Sequence, residues 1–566
     1  MKSIFRTAAL LSFVTVAFAG SKFSPDLPIA NSSAPVEVII QFKLPPSKND
    51  LKQLGPFGQV KKQYSVINGI HMTLPMSLIQ QLSNNPNIAY ITPNRKMHGA
   101  VDISTATVGA NLAWPAGLDG TSVGVAVIDS GITVKKDLKT ANGASRVVYT
   151  QDFTGGDGSD LYGHGTHVAG IVGGNGANST GLGFVRTFRG VAPNVNFINL
   201  KVLDQNGSGQ ESDVIAAIQQ AIALKNTYNI RVINLSLGRQ VFESYTIDPL
   251  CQAVEAAWKA GIVVVVAAGN GGRDNSMGTK GYGTIASPGN DPYVITVGAT
   301  NARGTATFTD DQIASYSSKG PTLVDHIVKP DLVAPGNSVI SLLSSPTSTL
   351  VTMYPKTQVT STTYETLGVT AKYSSDYYQL SGTSMATPVV SGAAALMIQK
   401  NPALNPDQIK ARLMKTARKM LPTYMSGFDV LHNLLYTSQA DIFTVGAGYL
   451  DINAALQNTE LATGIAISPK VVLNALPNGK YSITLIRDLN IIWGDNIIWG
   501  DNIIWGDNII WGDAIFNGKL NNLNIIWGDN IIWGDATTSG FNIIWGDTLL
   551  TSTAITPSDY DDGDQN

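Results

Sequence analysis

Three short stretches place reactive residue types at the edges of regular structure. "VIDSGI" ends an apolar run on Asp129, "YGHGTHVAG" opens a helical pattern at His164, and "LSGTSMATPVVSGAAALM" turns from loop into apolar helix at Ser384. A serine hydroxyl is a poor nucleophile at its own pKa and requires an adjacent base. A histidine can take its proton and later return it to a leaving amine, while a buried aspartate holds the imidazole tautomer and stabilises the imidazolium. Taken singly, each residue has an ordinary reading. An aspartate at a strand end caps a turn, a histidine beside glycines is structural, and a serine before a helix is an N-cap. The chemistry exists only if the fold brings the three together.

The elements that would position them are legible from about Thr105 onward. "SVGVAVIDSGI", "RVINLSLG" and "GIVVVVAAGN" are nearly continuous apolar strands, and "ESDVIAAIQQAIALKN" and "PLCQAVEAAWKAG" between them have helical spacing. Uninterrupted Val/Ile strands alternating with helices predict a parallel sheet buried on both faces, an α/β fold. In such sheets sites form at the carboxyl ends of strands, where the loops carrying these residues converge. Before it, residues 20 to about 100 form a separate pattern. "VEVIIQFK", "IHMTLP" and "IAYITPN" read as strands, and "MSLIQQLSNN" has helical spacing.

Together these motifs resemble the subtilisin-like serine protease (subtilase) family. The order Asp, His, Ser matches, as do "DSG", "HGTHVAG" and "GTSMATP", and the match extends through "GVAPNVNFINLKVLDQNGSGQ", "VINLSLG", "VVVVAAGN" and "KPDLVAPG". It covers roughly Thr105 to Leu456. The resemblance implies a three-layer subtilisin-like fold and a catalytic triad of Asp129, His164 and Ser384. It implies that Asn270 in "AAGN" donates, with the Ser384 backbone N–H, to the oxyanion, and that His167 is structural. It also implies that Gly207, Ser208 and Gly209 on one side, and Ser236, Leu237 and Gly238 on the other, sandwich an extended polypeptide substrate by main-chain pairing. Ala268, Gly269 and Ala286 would then wall and floor the primary specificity pocket. Being small and uncharged, they favour a large apolar or aromatic residue before the cleaved bond; plain core packing is the alternative for Ala286.

The chain divides further, the resemblance marking out the propeptide and catalytic domain and the residues themselves the rest. Residues 1–19 are expected to be a signal peptide, 20–100 an inhibitor-like propeptide of ferredoxin-like fold, 101–456 the catalytic domain, 457–489 a β-rich connector and 490–566 a repeat tail. The propeptide would act as an intramolecular inhibitor and be cut off between about Asn94 and Ile103, after His98 or Gly99. Two departures stand out. The calcium loop of many subtilisins is unmatched: "GGNGANSTGLGFVRTFRGVAP" differs in length and lacks the Asn before "GVAP", although Asp137 could match a carboxylate ligand. No cofactor is expected for the chemistry, and structural calcium is without support at that loop. About thirty extra residues, "PTSTLVTMYPKTQVTSTTYETLGVTAKYSSDYYQ", precede the nucleophile; a surface loop is the reading preferred over an element shaping substrate access.

The ends carry signals of their own. "MKSIFRTAALLSFVTVAFAGS" has basic residues, an apolar run too short to span a bilayer and small residues around Ala19, which predicts bacterial export to periplasm or medium. Cys251 is the only cysteine, so no intrachain disulfide forms, and its helical context predicts a core side chain. A net charge of −3 gives no case for nucleic acid. The hexad NIIWGD begins at Asn490, Asn496, Asn502, Asn508, Asn524, Asn530 and Asn542, and from Asn490 onward eleven aspartates face one basic residue, Lys519. Gly-Asp-Asn is turn chemistry, so the hexads read as short "IIW" strands stacked in a β-array. A sticky or disordered appendage, cell-surface or glycan contact through tryptophan, and Asp-dependent calcium folding are the alternatives. Two functions compete: a secreted endopeptidase, and a display protein whose catalytic fold processes only itself. An esterase of the α/β-hydrolase type is disfavoured, because Ser384 lacks a G-x-S-x-G elbow and the Ser–acid–His order.

Overall fold

The computed structural model describes residues 22, 23, 27 and 33–486, except 65–67, 83, 94–99, 277, 367–369, 420, 423, 430–433 and 476–480. The signal segment, the maturation region 94–99 and the hexads therefore lie outside the described residues. The chain divides between Met97 and His98 into two compact units.

The first unit alternates strands and helices as β1 (Pro35–Phe42), α1 (Lys48–Leu54), β2 (Gln59–Tyr64), β3 (Gly69–Pro75), α2 (Ile79–Leu82) and β4 (Ile88–Pro93). Its antiparallel sheet has the order β2-β3-β1-β4, a β-α-β-β-α-β arrangement. Period-two patterning puts Val38, Ile40 and Phe42 of β1 inside, with Ile70, Met72 and Leu74 of β3 beside them. "MSLIQQLSNN" is shorter as a helix than its spacing predicts: a 3₁₀ turn at Met76–Leu78 runs into the single turn of α2. Helix α1 was not foreseen, although Ser47 and Asp50 close a capping box at its start.

The second unit opens with α3 (Ala100–Thr107) and is built on a sheet of eight strands: β5 (Gly124–Asp129), β6 (Val147–Asp152), β7 (Asn196–Lys201), β8 (Ile230–Leu235), β9 (Val263–Ala267), β10 (Ile295–Asn301), β11 (Gln312–Ile313) and β12 (Leu332–Pro335). The order is β11-β10-β9-β8-β5-β7-β6, with β12 beside β10; only β11 runs antiparallel. Every residue of β5, β9 and β10 is buried, as a sheet covered on both faces demands. One helix pair, α4 (His164–Gly173) and α9 (Thr383–Lys400), packs together and on the sheet. A second pair, α5 (Glu211–Ala223) and α7 (Pro249–Lys259), does likewise, completing the mainly parallel three-layer fold. Helices α6 (Lys225–Tyr228), α8 (Thr349–Met353) and α11 (Ile452–Gln457) are short, while α10 (Pro406–Thr416) buries Ile409, Lys410, Leu413 and Met414. Asp248 caps α7 and Cys251 is buried in its first turn, its thiol 3.3 Å from Asn290 Oδ1 and its pKa pushed well up by burial.

The inserted stretch before the nucleophile is not the surface loop preferred above. It forms α8, β14 (Gln358–Thr360) and β15 (Tyr373–Leu380), and β15 lies between β14 and β13 (Val339–Leu342) in an antiparallel sheet. Tyr377 and Tyr378 are buried, and burying two tyrosines ties the insertion to the core. Beyond α11 the connector forms one hairpin, β18 (Lys470–Ala475) with β19 (Tyr481–Ile486); the hairpin β16 (Tyr424–Asp429) and β17 (Leu434–Gln439) precedes it.

Candidate active site

Strand β5 delivers Asp129 at its carboxyl end, and α4 begins at His164. The helix can approach the strand end so closely because residue 165 is glycine: a Cβ there would lie 2.2 Å from Gly131 O and 3.2 Å from Asp129 Cβ. His164 Nδ1 is 2.8 Å from Asp129 Oδ1, and both side chains are buried. A carboxylate only accepts, so Nδ1 carries the proton and Nε2 carries the lone pair of the neutral ring.

What sets this geometry is a residue the sequence reading passed over. Asp160 is buried, and its carboxylate accepts from Ser130 Oγ (2.8 Å), Gly163 N (2.7 Å) and Thr166 N (2.8 Å). Ser130 Oγ in turn accepts from Gly165 N at 2.9 Å. One carboxylate thus fastens the turn after β5 to the first turn of α4, whose N–H groups have no intrahelical acceptor. Burial raises its pKa, and the donors from Thr166, Gly163 and Ser130 oppose that rise. The acid sits four residues before His164 in "DLYGH", a spacing that could have flagged it.

Ser384 lies in the first turn of α9, 5% exposed. Pro388, four residues on, has no N–H to give the Ser384 carbonyl. Ser236 Oγ takes that place at 2.9 Å, and Ser384 Oγ lies 3.2 Å from Ser236 O. The helix interruption is what couples the helix carrying Ser384 to Ser236. Asn270 joins from the other side: its Oδ1 accepts from Thr383 N (2.9 Å) and Thr383 Oγ1 (3.1 Å). A backbone N–H can only donate, so the carboxamide orientation is fixed with Nδ2 turned away from Thr383.

The remaining expected residues gather around this core. Gly269 N lies 3.2 Å from Thr383 Oγ1, and Ala286 N donates to Ala268 O at 3.0 Å. A Cβ on Gly238 would sit 3.1 Å from Ala286 Cβ, and one on Gly269 would sit 3.3 Å from it, so small residues enclose this spot from two sides. Ser318, unforeseen in the sequence, fastens the pocket by accepting from Gly271 N (2.9 Å) and donating its own N–H to Gly269 O (2.9 Å). Leu237 packs on the core, while Ser208 and Gly209 are exposed. Gly207 has φ +74°, and a Cβ there would collide with the ring of Tyr162 at 2.4 Å. The 207–209 segment is therefore braced on the residue two before His164. Asp204 shapes the same loop, accepting from Ser208 N at 3.0 Å.

His167 faces away from this chemistry. Its Nε2 lies 3.0 Å from Val339 O, Tyr378 meets its ring edge-on at 4.9 Å, and burial brings its pKa down to about 3. Insertion and site also touch. Tyr378 Oη donates to Gly163 O, and Thr349 N and Leu350 N donate to Leu161 O (3.1 Å) and Tyr162 O (3.0 Å). Tyr377 Oη reaches Asp137 Oδ2 at 2.7 Å, and Asn178 N reaches Asp137 Oδ1 at 2.6 Å. Asp137, buried completely, thus accepts a protein donor at each carboxylate oxygen.

Comparison with known proteins adds the following. Residues 120–448 match the family model described as peptidase S8, subtilase family. Serine protease AprX of Bacillus subtilis is 38% identical over 365 residues, 63% of this chain and 75% of that protein. Subtilisin E of Bacillus subtilis is 33% identical over 404 residues, 71% and 84% of the two chains. The minor extracellular protease Epr of the same organism is 29% identical over 425 residues, 72% of this chain and 54% of that one.

Proposed function

Because the chain belongs to the subtilase family and is a serine endopeptidase, we propose that Asp129, His164 and Ser384 do its chemistry as a triad. The observation that carries this reading is the 2.8 Å Asp129–His164 contact, which leaves the Nε2 lone pair as the base. His164 takes the Ser384 proton, and Oγ attacks the peptide carbonyl. The negative oxygen accepts from Asn270 Nδ2 and the Ser384 N–H, near the positive end of α9. His164 then protonates the leaving amine, and water hydrolyses the ester by the same route in reverse. These steps call on no cofactor.

The groove between 207–209 and 236–238 binds an extended polypeptide. The pocket at Ala268, Gly269 and Ala286 takes an uncharged apolar or aromatic side chain before the cleaved bond. Residues 20–100, whose described part up to Pro93 has its own core, serve as inhibitory propeptide and are removed by the enzyme itself. The leader directs export, a reading supported by the extracellular relative. The hexads stack as a β-array, with cell-surface or glycan contact through tryptophan as their partner; nucleic acid is not a partner.

The test is hydrolysis of casein by mature protein, expected for the native chain and abolished by Ser384→Ala. Processed, folded protein that cleaves no added polypeptide would sink the endopeptidase reading and leave self-processing as the sole use of the triad.

A further inference from the structure

The residue after Gly238 is Arg239, and it bonds to residues on both sides of the groove. Its N–H donates to Ser287 O (2.9 Å) and its carbonyl accepts from Ser287 N (2.8 Å), beside Ala286. Its guanidinium grips Glu211, two residues beyond Gly209, through Nε to Oε2 (2.9 Å) and Nη2 to Oε1 (3.1 Å). Nη2 also reaches Asp248 Oδ1 at 2.9 Å and Glu243 Oε1 at 3.2 Å. Asp248 is buried and accepts from Ser287 Oγ at 2.8 Å through its other oxygen. The end of 236–238, the start of α5 and the pocket floor at 286–287 are therefore held by one residue, through its backbone to Ser287 and its guanidinium to Glu211 and Asp248.

Its place along the groove follows from the chain. Ser236 touches Ser384, and Arg239 stands three residues further, about 10 Å away in extended chain. That is the reach of the third or fourth residue before the cleaved bond. We propose that Arg239 and Glu211 form a clasp that fixes the separation of the two groove walls, so that binding of those substrate residues depends on it. Both are positioning residues. The inference rests on the reading of 207–209 and 236–238 as the substrate-lining segments. A partly exposed ion pair contributes little energy of its own, so the effect is geometric. The forked geometry also requires arginine, since lysine offers a single point charge.

Two anilide substrates with the same aromatic residue before the bond test the clasp, one with a single residue there and one with four. In Glu211→Gln and Arg239→Lys, kcat/KM for the four-residue substrate divided by that for the one-residue substrate falls about tenfold, chiefly through KM. An unchanged ratio, including an equal fall on both substrates, overturns the clasp. Glu211→Gln keeps the Arg239 bonds to Asp248 and Glu243, so it remains informative if Arg239→Lys does not fold. Ala286→Val separates the two claims. If it shifts the preference at the residue before the bond while Glu211→Gln leaves the ratio alone, only the clasp fails. If it shifts nothing, the groove assignment fails as well.

Discussion

Asn270 shows how a single side chain can be pre-set for one bond. Two donors from Thr383 hold its oxygen, so its amide hydrogens are oriented before any substrate arrives. Replacing it by alanine is expected to lower kcat by about 10²–10³ with little change in KM, the loss known for the oxyanion-hole asparagine of subtilisin itself. Single-turnover and steady-state kinetics on one anilide substrate measure it; a loss confined to KM would remove Asn270 from the reaction. At this scale the proposed reacting groups were legible as candidates because short motifs carry them. Asp160, Thr383 and Ser318 were not, because their partners, backbone N–H and C=O groups and the Asn270 amide oxygen, are brought near only by the fold. The Pro388–Ser236 relation was hidden for the same reason. The proline is visible in the sequence, but the hydroxyl that replaces its missing hydrogen bond comes from 152 residues upstream.

Among the elements, the buried parallel strands were legible from their unbroken apolar runs, and the insertion was not. Its Ser/Thr/Tyr composition reads as solvated loop, yet the consecutive Tyr377 and Tyr378 of β15 reach Asp137 and the turn before His164. Polar β2, "QVKKQY", escaped notice likewise, since an edge strand has little to bury. The insertion makes a testable claim. Burial raises the Asp137 pKa above 3.8, and the Tyr377 hydroxyl and Asn178 N–H pull it back. A carboxyl whose folded pKa is raised loses stability as pH climbs from the unfolded value through the folded one. Tyr377→Phe removes the largest opposing donor and raises that pKa further. It should cost about 1–3 kcal/mol at neutral pH, and the penalty should shrink as pH approaches the unfolded value. Urea unfolding of both proteins across that range checks it. A penalty independent of pH would mean that Asp137 is not the group Tyr377 serves.

For the molecule as a whole, the two units have separate cores, and no helix among the described residues is long and apolar enough to cross a membrane. The proposed maturation then has a definite signature. The native chain should yield a product beginning between about residues 94 and 103, whereas Ser384→Ala should keep residues 20–93 attached, as N-terminal sequencing and intact mass would show. Export without cleavage in the active protein would refute self-processing. The split between Met97 and His98 lies a few residues before the change in texture at about Thr105. The eight-strand order was not legible, since strand neighbours depend on crossovers that periodicity does not encode.

The burial of Cys251 has an experimental use. With the one native thiol shut inside α7 and held protonated, a cysteine introduced at a solvent-facing position, such as Ser208 at the mouth of the groove, becomes the sole point a maleimide dye can reach. The natural chain can thus be fluorescently labelled at a chosen site without first being stripped of its own cysteine.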